Sequence, residues 1–589
     1  MRRPARWLVT EENLSVCEEL AKGLGIRMPA ARVLASRGYT DIAAARRFLS
    51  PELEDLLDPL ALKDMDCAVE RLHSAIELRE KILLYGDYDV DGTCSVVILK
   101  KAIELAGGVC EFHIPHRLRD GYGMRTEVID QAAQTGVRLV ISVDTGIRAA
   151  AVVAHARTLG IDVIVTDHHL PEAELPPAVA VINPNRHDCT YPEKNLCGAG
   201  VTFKLVQALL QRLDWPGDRV RRMVESFLKL VALATVADVV PLCGENRVIV
   251  KRGLEGFHKV RNPGLRALMR VAGFQDGYSP TSTEVAFRIA PRINAAGRMA
   301  SADDVIELFL TGEQDRASAL ASQLHDLNKE RQETERDIVK TILEECSRIP
   351  VADHQAGLVF SGDAWHRGVV GIVASRIVER YHRPSFVLCE DTESGTAVGS
   401  GRSVAAFHLL EALETMPELF VKFGGHRQAA GVTMAIENVA EFRERFNRFA
   451  ASRLAPEDFR ATREVDALLP LHELSDEAVE QVLALAPFGC GNAAPLFLVN
   501  DAEVLGEPVL WKDKHVKLRI RQNGRTLSLK AWNFAERIDE IAPGSRVDAA
   551  ICLEEDTYSR DRGYQPWCAT LKDVRAATSR TAAAGSTPA

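Results

Sequence analysis

The sequence predicts an α/β protein: a parallel-sheet domain, a long connecting helix, a smaller α/β domain and a small C-terminal β-barrel or sandwich. Three observations carry that prediction. Short, continuously apolar runs alternate with helical stretches between residues 81 and 182, as in a parallel sheet covered on both faces. Asp315–Ser347 is highly charged and free of Gly and Pro, so it reads as one long helix. Beyond about residue 460 the apolar positions alternate in strand fashion, with hairpin turns between them.

The 589 residues hold 72 Lys+Arg against 82 Asp+Glu, a formal net charge of −10, with 46% hydrophobic and 26% charged residues. Those proportions exclude wholesale disorder and a coiled-coil rod. At about 100–200 residues per domain the chain holds roughly three or four. Net acidity argues against non-specific coating of nucleic acid but leaves a local basic groove open. No apolar run approaches the roughly 18 residues that span a bilayer. Arg2, Arg3 and Arg6 lack the apolar stretch of a secretory signal behind them. The 12 cysteines include no Cys-x-x-Cys pair and fit reduced cytosolic thiols.

In chain order, residues 1–80 read as a helical segment, punctuated by Pro29, Gly38, Pro51 and Pro59, that packs on the domain after it. The first domain, 81–310, opens with the strand Lys81–Tyr85, the turn Gly86-Asp-Tyr-Asp-Val-Asp-Gly92 and the helix Thr93–Leu105. Strands follow at Leu139–Val143, Asp162–Thr166 and Val179–Ile182, with a helix at Ala149–Leu159. The connecting helix occupies 311–349. The second α/β domain, 350–457, sets the helix Gly368–Tyr381 between strands Gly357–Phe360 and Ser385–Leu388. The barrel spans 458–575, and the low-complexity tail 576–589 is expected to be disordered.

Carboxylates stand directly after three of these strands. Asp87, Asp89 and Asp91 follow the first, Asp144 the second, and Asp167-His168-His169 the third. The C-terminal edge of an open parallel sheet borders the crevice where ligands bind. Groups 55 residues apart (Asp89 to Asp144) and 23 further on (Asp167) therefore converge in space. Clustered carboxylates repel one another unless a cation neutralises them. Imidazole among them favours Mn²⁺, Zn²⁺ or Fe²⁺, with Mg²⁺ admissible. The apolar helix Leu230–Leu242 adds one acid, Asp238. Six or more ligands suggest two ions about 3.5–4 Å apart, an arrangement suited to phosphoryl displacement. A single Asp after a strand is ordinarily a helix N-cap. Three strand ends with acids, one carrying a His-His pair, are not explained by capping.

Asp87-Tyr-Asp-Val-Asp-Gly92, Val143-Asp-Thr145, Asp167-His-His169 and Ala237-Asp238, in this order, resemble the DHH phosphoesterase superfamily. Gly424-Gly-His-Arg-Gln-Ala-Ala-Gly431 matches the Gly-Gly-His signature of that family's second, DHHA1 domain. Together with a C-terminal β-domain, the set is similar to the bacterial branch that degrades single-stranded DNA 5′→3′ in recombination and repair, and covers nearly everything from about residue 30 to 575. The resemblance implies a DHH catalytic domain, a substrate-binding DHHA1 domain and an OB-fold that binds single-stranded DNA. It further implies that Asp89, Asp91, Asp144, His168 and Asp238 ligate two Mn²⁺ or Mg²⁺ ions, with Asp144 bridging. Asp87 and His169 then stand at the border of the centre or on the phosphate. Implied surroundings are the bacterial cytosol and nucleoid, a 5′ DNA end, a single-strand-binding protein, a RecQ-type helicase and no membrane. Self-sufficient domains favour a monomer.

In the second domain, glycine-rich turns can cradle an anion and Arg402 can grip phosphate bidentately. Taken alone, Gly424-Gly425 is a plain turn and Arg402 a solvated surface group. The resemblance makes Gly424, Gly425 and His426 substrate-binding, and Arg298, Ser400 and Arg402 a pocket for a terminal 5′-phosphate. His366-Arg367-Gly368 precedes a helix whose N-terminus is a further anion candidate. His169 and His426 are placed to neutralise the transition state or assist the leaving oxygen. Both have a second reading, as hydrogen-bonded residues behind the ligands.

In the barrel, Val516, Leu518 and Ile520 alternate with Lys517, Arg519 and Arg521, and Asn523-Gly524 is a hairpin turn. The return strand turns Leu527, Leu529 and Ala531 inward and Ser528, Lys530 and Trp532 outward. A basic, aromatic-bearing face suits single-stranded DNA, with charges along the backbone and rings against bases. An ordinary amphipathic hairpin with a basic solvent face is the plainer reading. Two rivals remain for the whole chain: a phosphodiesterase for short oligonucleotides, cyclic dinucleotides or pyrophosphate, and a non-catalytic replication scaffold. The barrel argues against the first, and the complete set of acids and histidines against the second. A dehydrogenase is excluded because no G-x-G-x-x-G follows the first strand.

Overall fold

The computed structural model describes residues 5–577 except 118, 122, 349–350, 352–354, 557–558 and 560–561. The expected tail lies outside the described residues from 578 onward. The chain forms two compact units. One contains Leu53–Ala461; the other joins the segment ending at Glu52 to the part beginning at Thr462.

In chain order the strands are β1 (Arg6–Val9), β2 (Lys81–Tyr85), β3 (Val109–His113), β4 (Val137–Val143), β5 (Asp162–Thr166), β6 (Ala180–Ile182), β7 (Leu358–Asp363), β8 (Ser385–Asp391) and β9 (Thr396–Arg402). They continue as β10 (Phe420–Gly425), β11 (Ala429–Ala435), β12 (Thr462–Val465), β13 (Ala467–Leu468), β14 (Phe497–Trp511), β15 (His515–Gln522), β16 (Arg525–Ala531), β17 (Arg546–Glu555) and β18 (Trp567–Ala576).

The first unit begins with a five-stranded sheet in the order β3-β2-β4-β5-β6, parallel throughout. Strand side chains alternate between faces, and here both faces are buried, which is why the runs are continuously apolar. Ile82, Leu84, Leu139, Ile141 and Ile164 pack in one core with residues of helices Val90–Leu105, Gly198–Arg212 and Gly217–Ala237. Leu83, Tyr85, Val140, Val163 and Val165 pack in another with residues of Thr126–Gln134 and Ala150–Thr158.

The expected long helix is Gln314–Arg348, 35 residues. At 1.5 Å per residue it runs about 52 Å. Ala317, Leu320, Ala321 and Leu324 join the core of the first sheet, whereas Ile338, Ile342 and Cys346 join that of the second domain. That domain is a mixed sheet, β10-β11-β9-β8-β7, in which only β7 and β8 run parallel. Phe386, Phe407, Phe442 and Phe446 fill one side with mostly edge-to-face contacts.

In the second unit, β14, β15, β16, β18 and β17 follow one another and β17 pairs back with β14, closing a five-stranded OB-like barrel. The β15–β16 hairpin turns at Asn523 (φ +48°) and Gly524 (φ +79°), the left-handed pair a two-residue turn requires.

One expectation is corrected here. Of the segment 1–80, only the part from Leu53 belongs with the first sheet, where Met65, Val69 and Leu72 are buried. The helices Leu14–Leu24 and Met28–Ser36 put Leu20, Ala30, Val33 and Leu34 into the barrel's core. β1 pairs in parallel with β12, Arg32 is salt-bridged to Glu473, and Arg37 to Asp466 at 3.0 Å. An apolar helix face is satisfied by any complementary apolar surface, so adjacency in sequence did not identify its partner.

Candidate metal centre and nucleic-acid contacts

The turn after β2 is shaped by its own side chains. Asp89 caps the helix Val90–Leu105 by accepting from the Gly92 N–H at 3.0 Å. A Cβ on Gly92 would lie 2.5 Å from the Asp87 carbonyl oxygen, so only glycine fits. Asp144, at the end of β4, takes a left-handed backbone (φ +59°) and donates its N–H to the Thr166 carbonyl at 2.9 Å. After β5, Asp167 works as an internal strut. One oxygen accepts from the N–H groups of His168 (2.7 Å) and His169 (3.1 Å) and from His169 Nδ1 (2.7 Å); the other accepts from the Ile147 N–H (2.9 Å). With its oxygens so engaged, Asp167 fixes the imidazoles.

Side chains from four elements meet in front of this edge. His168 Nε2 lies 3.2 Å from Asp144 Oδ1 and 3.8 Å from Asp91 Oδ2 and Asp238 Oδ2. Potential ligand atoms fall within 4.8 Å of one another in three groups: Asp144, His168 and His169; Asp91, His168 and Asp238; Asp87, Asp89 and Asp144. The five residues implied as ligands therefore converge together with Asp87, and Asp144 and His168 each belong to two groups.

The electrostatics fit a cation. Burial, then neighbouring carboxylates, hold Asp144 and Asp87 well above the usual carboxylate range. Burial, then Asp91 and Asp89, push Asp238 up to about 9. Burial also raises Asp91, with His168 opposing. Oδ1 of Asp87 and Oδ2 of Asp238 are buried and accept no hydrogen bond among the described residues. Burial lowers His168, keeping the imidazole neutral as a ligand must be. His169 goes the other way: burial works against its charge, but Asp167 outweighs it and raises its pKa.

Sequence reasoning missed one contributor. The N–H groups of Gly198 and Ala199, opening the helix Gly198–Arg212, donate to the two Asp91 oxygens at 2.6 and 2.8 Å. A Cβ on Gly198 would lie 2.5 Å from Asp144 Cβ and Oδ1. The run Gly198-Ala-Gly200 at a helix start was the available signal.

Beside the centre stands an arginine cluster. Gly297 approaches so closely that a Cβ would sit 2.5 Å from the Tyr88 carbonyl oxygen, which ties the Asn294–Arg298 stretch to the first acidic turn. Burial, then the guanidiniums of Arg117, Arg331 and Arg402, push Arg298 down to about 10. Burial, then Arg117, also lowers Arg402. Arg117 lies over the Tyr88 ring at 4.7 Å. Ser400 and Arg402 share β9, and a Cβ on Gly371 would lie 3.4 Å from Ser400 Oγ and 3.2 Å from Arg402 Nη2. Arg298, Ser400 and Arg402 thus lie near one another, together with Arg117. Arg367 is turned to Asp391, 3.1 Å away, while His366 Nδ1 accepts from the Gly368 N–H.

Gly424 and Gly425 end β10, and the His426 N–H donates to the Ala429 carbonyl across the turn into β11. A Cβ on Gly425 would meet the Ala429 carbonyl oxygen at 2.4 Å, whereas one on Gly424 would meet nothing. His426 and His169 line one cavity of about 500 Å³. Burial, then Arg148 and His169, lowers the His426 pKa.

On the barrel, Lys517, Arg519, Arg521 and Trp532 are exposed as predicted, and Lys530 is half-buried. Two of the cations are already answered: Arg521 pairs with Glu503 at 2.8 Å and Lys530 with Asp556 at 2.7 Å. Lys517, Arg519, Ser528 and Lys530 line a groove of about 950 Å³ that Tyr564 also borders. The aromatic feature is larger than expected. Trp511 lies 5.3 Å from Trp532, His515 lies 4.9 Å from Trp532, and Lys517 Nζ stands 5.0 Å from the Trp511 ring.

Residues 81–235 match the DHH family, N-terminal domain; residues 354–452 match the DHHA1 domain; residues 465–566 match the RecJ OB domain. A curated Bacillus subtilis protein named single-stranded-DNA-specific exonuclease RecJ is 37% identical over 92% of this chain and 67% of its own length. The crystal structure of RecJ in complex with Mn²⁺ from Thermus thermophilus is similar with a TM-score of 0.82 and 32% identity, covering 98% of this chain and 80% of that one. The Mg²⁺ complex from the same organism gives 0.77 and 30%, over 97% and 79%. Similarity this extensive, carried by all three domain types in the same order, shows the family: the chain belongs to the RecJ exonucleases.

Proposed function

We propose that the protein is a divalent-metal-dependent exonuclease that degrades single-stranded DNA in the 5′→3′ direction to mononucleotides, acting in recombination and repair. The observation that carries the metal dependence is the buried cluster of Asp87, Asp89, Asp91, Asp144, His168 and Asp238, in which carboxylate oxygens of Asp87 and Asp238 accept no hydrogen bond among the described residues. These residues would hold divalent ions, Mn²⁺ or Mg²⁺, two by the number of ligands, with Asp144 belonging to two of the ligand groups. Bound there, divalent ions supply water activation and charge stabilisation at the phosphoryl oxygens.

The chain's own residues orient the strand. Arg298, Ser400 and Arg402, with Arg117, hold a terminal 5′-phosphate. Burial and the nearby Arg117 guanidinium lower both Arg298 and Arg402, a repulsion that an anion among them relieves. A pocket that accepts only a chain terminus sets polarity. His169, braced by Asp167, and His426 on the Gly424-Gly425 turn face the scissile phosphate. The barrel's Trp511–Trp532 platform, with Lys517 and Arg519, binds single-stranded DNA. The protein acts as a monomer in the bacterial cytosol, with a single-strand-binding protein and a RecQ-type helicase preparing its substrate. Among the described residues no helix is long and apolar enough to cross a membrane.

The test is product analysis on single-stranded DNA labelled at its 3′ end, beside its duplex, with Mn²⁺ or Mg²⁺ and an EDTA control. A shrinking labelled ladder, abolished by EDTA and absent on duplex, is the expected result. Immediate release of labelled mononucleotide, or cleavage unaffected by EDTA, overturns the reading.

A further inference from the structure

The cavity lined by His169 and His426, the two histidines that face the scissile phosphate, is also lined by residues outside the metal ligands and the terminal-phosphate cluster. Its wall runs along the turn after β4 and the start of the helix Ala150–Thr158: Thr145, Ile147, Arg148 and Val152, with Met124 alongside. Three features identify what it takes.

First, Thr145 Oγ1 is buried, its residue 1% exposed, and has no hydrogen-bond partner among the described residues. A buried hydroxyl left unpaired costs about 1–3 kcal/mol, so this one is kept for a ligand. Second, the helix Ala150–Thr158 begins at Ala149 with no side-chain cap, leaving its first N–H groups, Ala151 and Val152 included, at the cavity wall. Third, among the described residues the only acid in the lining is Asp167, whose oxygens already accept from four N–H groups. The other polar side chains, Thr145, Arg148, His169 and His426, include a guanidinium and two imidazoles. Met124, Ile147 and Val152 complete an apolar floor. Donors and cations around an apolar floor suit a phosphodiester with its sugar and base.

The sheet order fixes which phosphodiester. Tyr88, against which Arg117 and Gly297 pack, follows β2, whereas the cavity borders the turns after β4 and β5. The metal-ligating carboxylates span these turns, so the strand crosses the centre from the β2 side to the β5 side. We propose that this cavity seats the phosphodiester immediately 3′ of the scissile one, with Thr145, Arg148 and the start of the helix Ala150–Thr158 as its donors. The inference rests on the exonuclease reading above and names a subsite of that substrate. Its role is to hold the remaining strand in register for each successive cut.

The test uses 5′-phosphorylated single strands in which one linkage is a neutral methylphosphonate, with the full-length protein and Mn²⁺. Removal of the first nucleotide is measured as kcat/KM. A neutral second linkage should cost the wild type about tenfold, the loss of one charge-assisted contact, while a neutral fifth linkage serves as the reference. Arg148→Ala should lose about tenfold on the natural strand, through KM, and nothing further when the second linkage is neutral; Arg148→Lys should recover part of the loss. Thr145→Val should show the same non-additivity, which keeps the inference testable should Arg148→Ala fold poorly. Independent, additive losses, or no penalty from the neutral second linkage in the wild type, overturn the subsite. Absence of metal-dependent cleavage on every strand would instead overturn the exonuclease reading.

Discussion

Gly198→Ala is the most informative single-atom perturbation of the metal centre. The added Cβ would stand 2.5 Å from Asp144 Cβ and Oδ1 and 2.7 Å from its Cγ, where ordinary contact begins at 3.4 Å. Relief needs a displacement approaching 1 Å, taken up by Asp144 or by the start of the helix Gly198–Arg212. Either path damages the centre: the first moves the carboxylate shared by two ligand groups, and the second withdraws the N–H donors at 2.6 and 2.8 Å from Asp91. Ligand distances tolerate only about 0.2 Å, and misplacement by about 1 Å costs on the order of a hundredfold in rate. Helix propensity pulls the other way, favouring Ala over Gly by at most about 1 kcal/mol, against about 1–3 kcal/mol for overpacking. The substitution should therefore leave a folded protein, slightly less stable, whose Mn²⁺ affinity falls about 10–100-fold and whose kcat falls about a hundredfold. Calorimetric Mn²⁺ titration, a melting curve and the end-labelled DNA assay read the three quantities. Mn²⁺ affinity and kcat both within twofold of wild type would refute the steric reasoning.

Other consequences are open to direct measurement. Because Asp87, Asp144 and Asp238 have folded-state pKa values raised above the unfolded range, the folded metal-free protein binds more protons than the unfolded one. Its melting temperature in EDTA should fall as pH rises from about 4 towards about 9, and Mn²⁺ should flatten that slope; a metal-free melting temperature that climbs across the window contradicts the assignment. Arg402→Ala should erase most of the preference for a 5′-phosphorylated over a 5′-hydroxyl end, about tenfold, and an unchanged ratio counts against the pocket. Trp511→Ala should weaken single-strand binding by about 1–3 kcal/mol in a fluorescence titration, since its half-buried ring packs beside the exposed Trp532. Lys530→Ala should matter much less, because Asp556 already neutralises that charge; equal losses would show that the ion pair does not withdraw Lys530 from the strand.

What the sequence disclosed follows from what each signal depends on. β2, β4 and β5 were readable because strands buried on both faces are written as unbroken apolar runs, and the acids at their ends stand out against such runs. β3 was passed over because Val109 and Glu111 are exposed on this edge strand, which dilutes the pattern. The convergence of Asp89, Asp144 and His168 followed from the topology of parallel sheets, whereas Asp238 stood out as the one acid on an apolar helix. Gly198 escaped notice because a glycine's reason is the atom it avoids, here Asp144, 54 residues away in the chain. On the barrel, alternation correctly turned Arg521 and Lys530 outward but was silent on Glu503, which arrives from β14, and on Asp556, which follows the end of β17. Trp511 and His515 joined Trp532 for the same reason: cross-strand neighbours are set by register, which a single strand does not contain.

The split composition of the barrel unit has a consequence for biosynthesis. The helices that enter its core leave the ribosome first, yet the bidentate Arg32–Glu473 pairing closes a loop with a sequence separation of 441. At about 5–20 residues per second, on the order of 20–90 s elapse before the complementary surface exists. During that interval Leu20, Val33 and Leu34 have no native partner, while the sheet of β2–β6 is free to fold. Loop-closure entropy grows only logarithmically with length, so the topology costs the finished protein little. Its burden is kinetic: nascent chains stalled or truncated before Thr462 should expose an unmatched amphipathic segment, making translation rate and holdase capacity the determinants of yield.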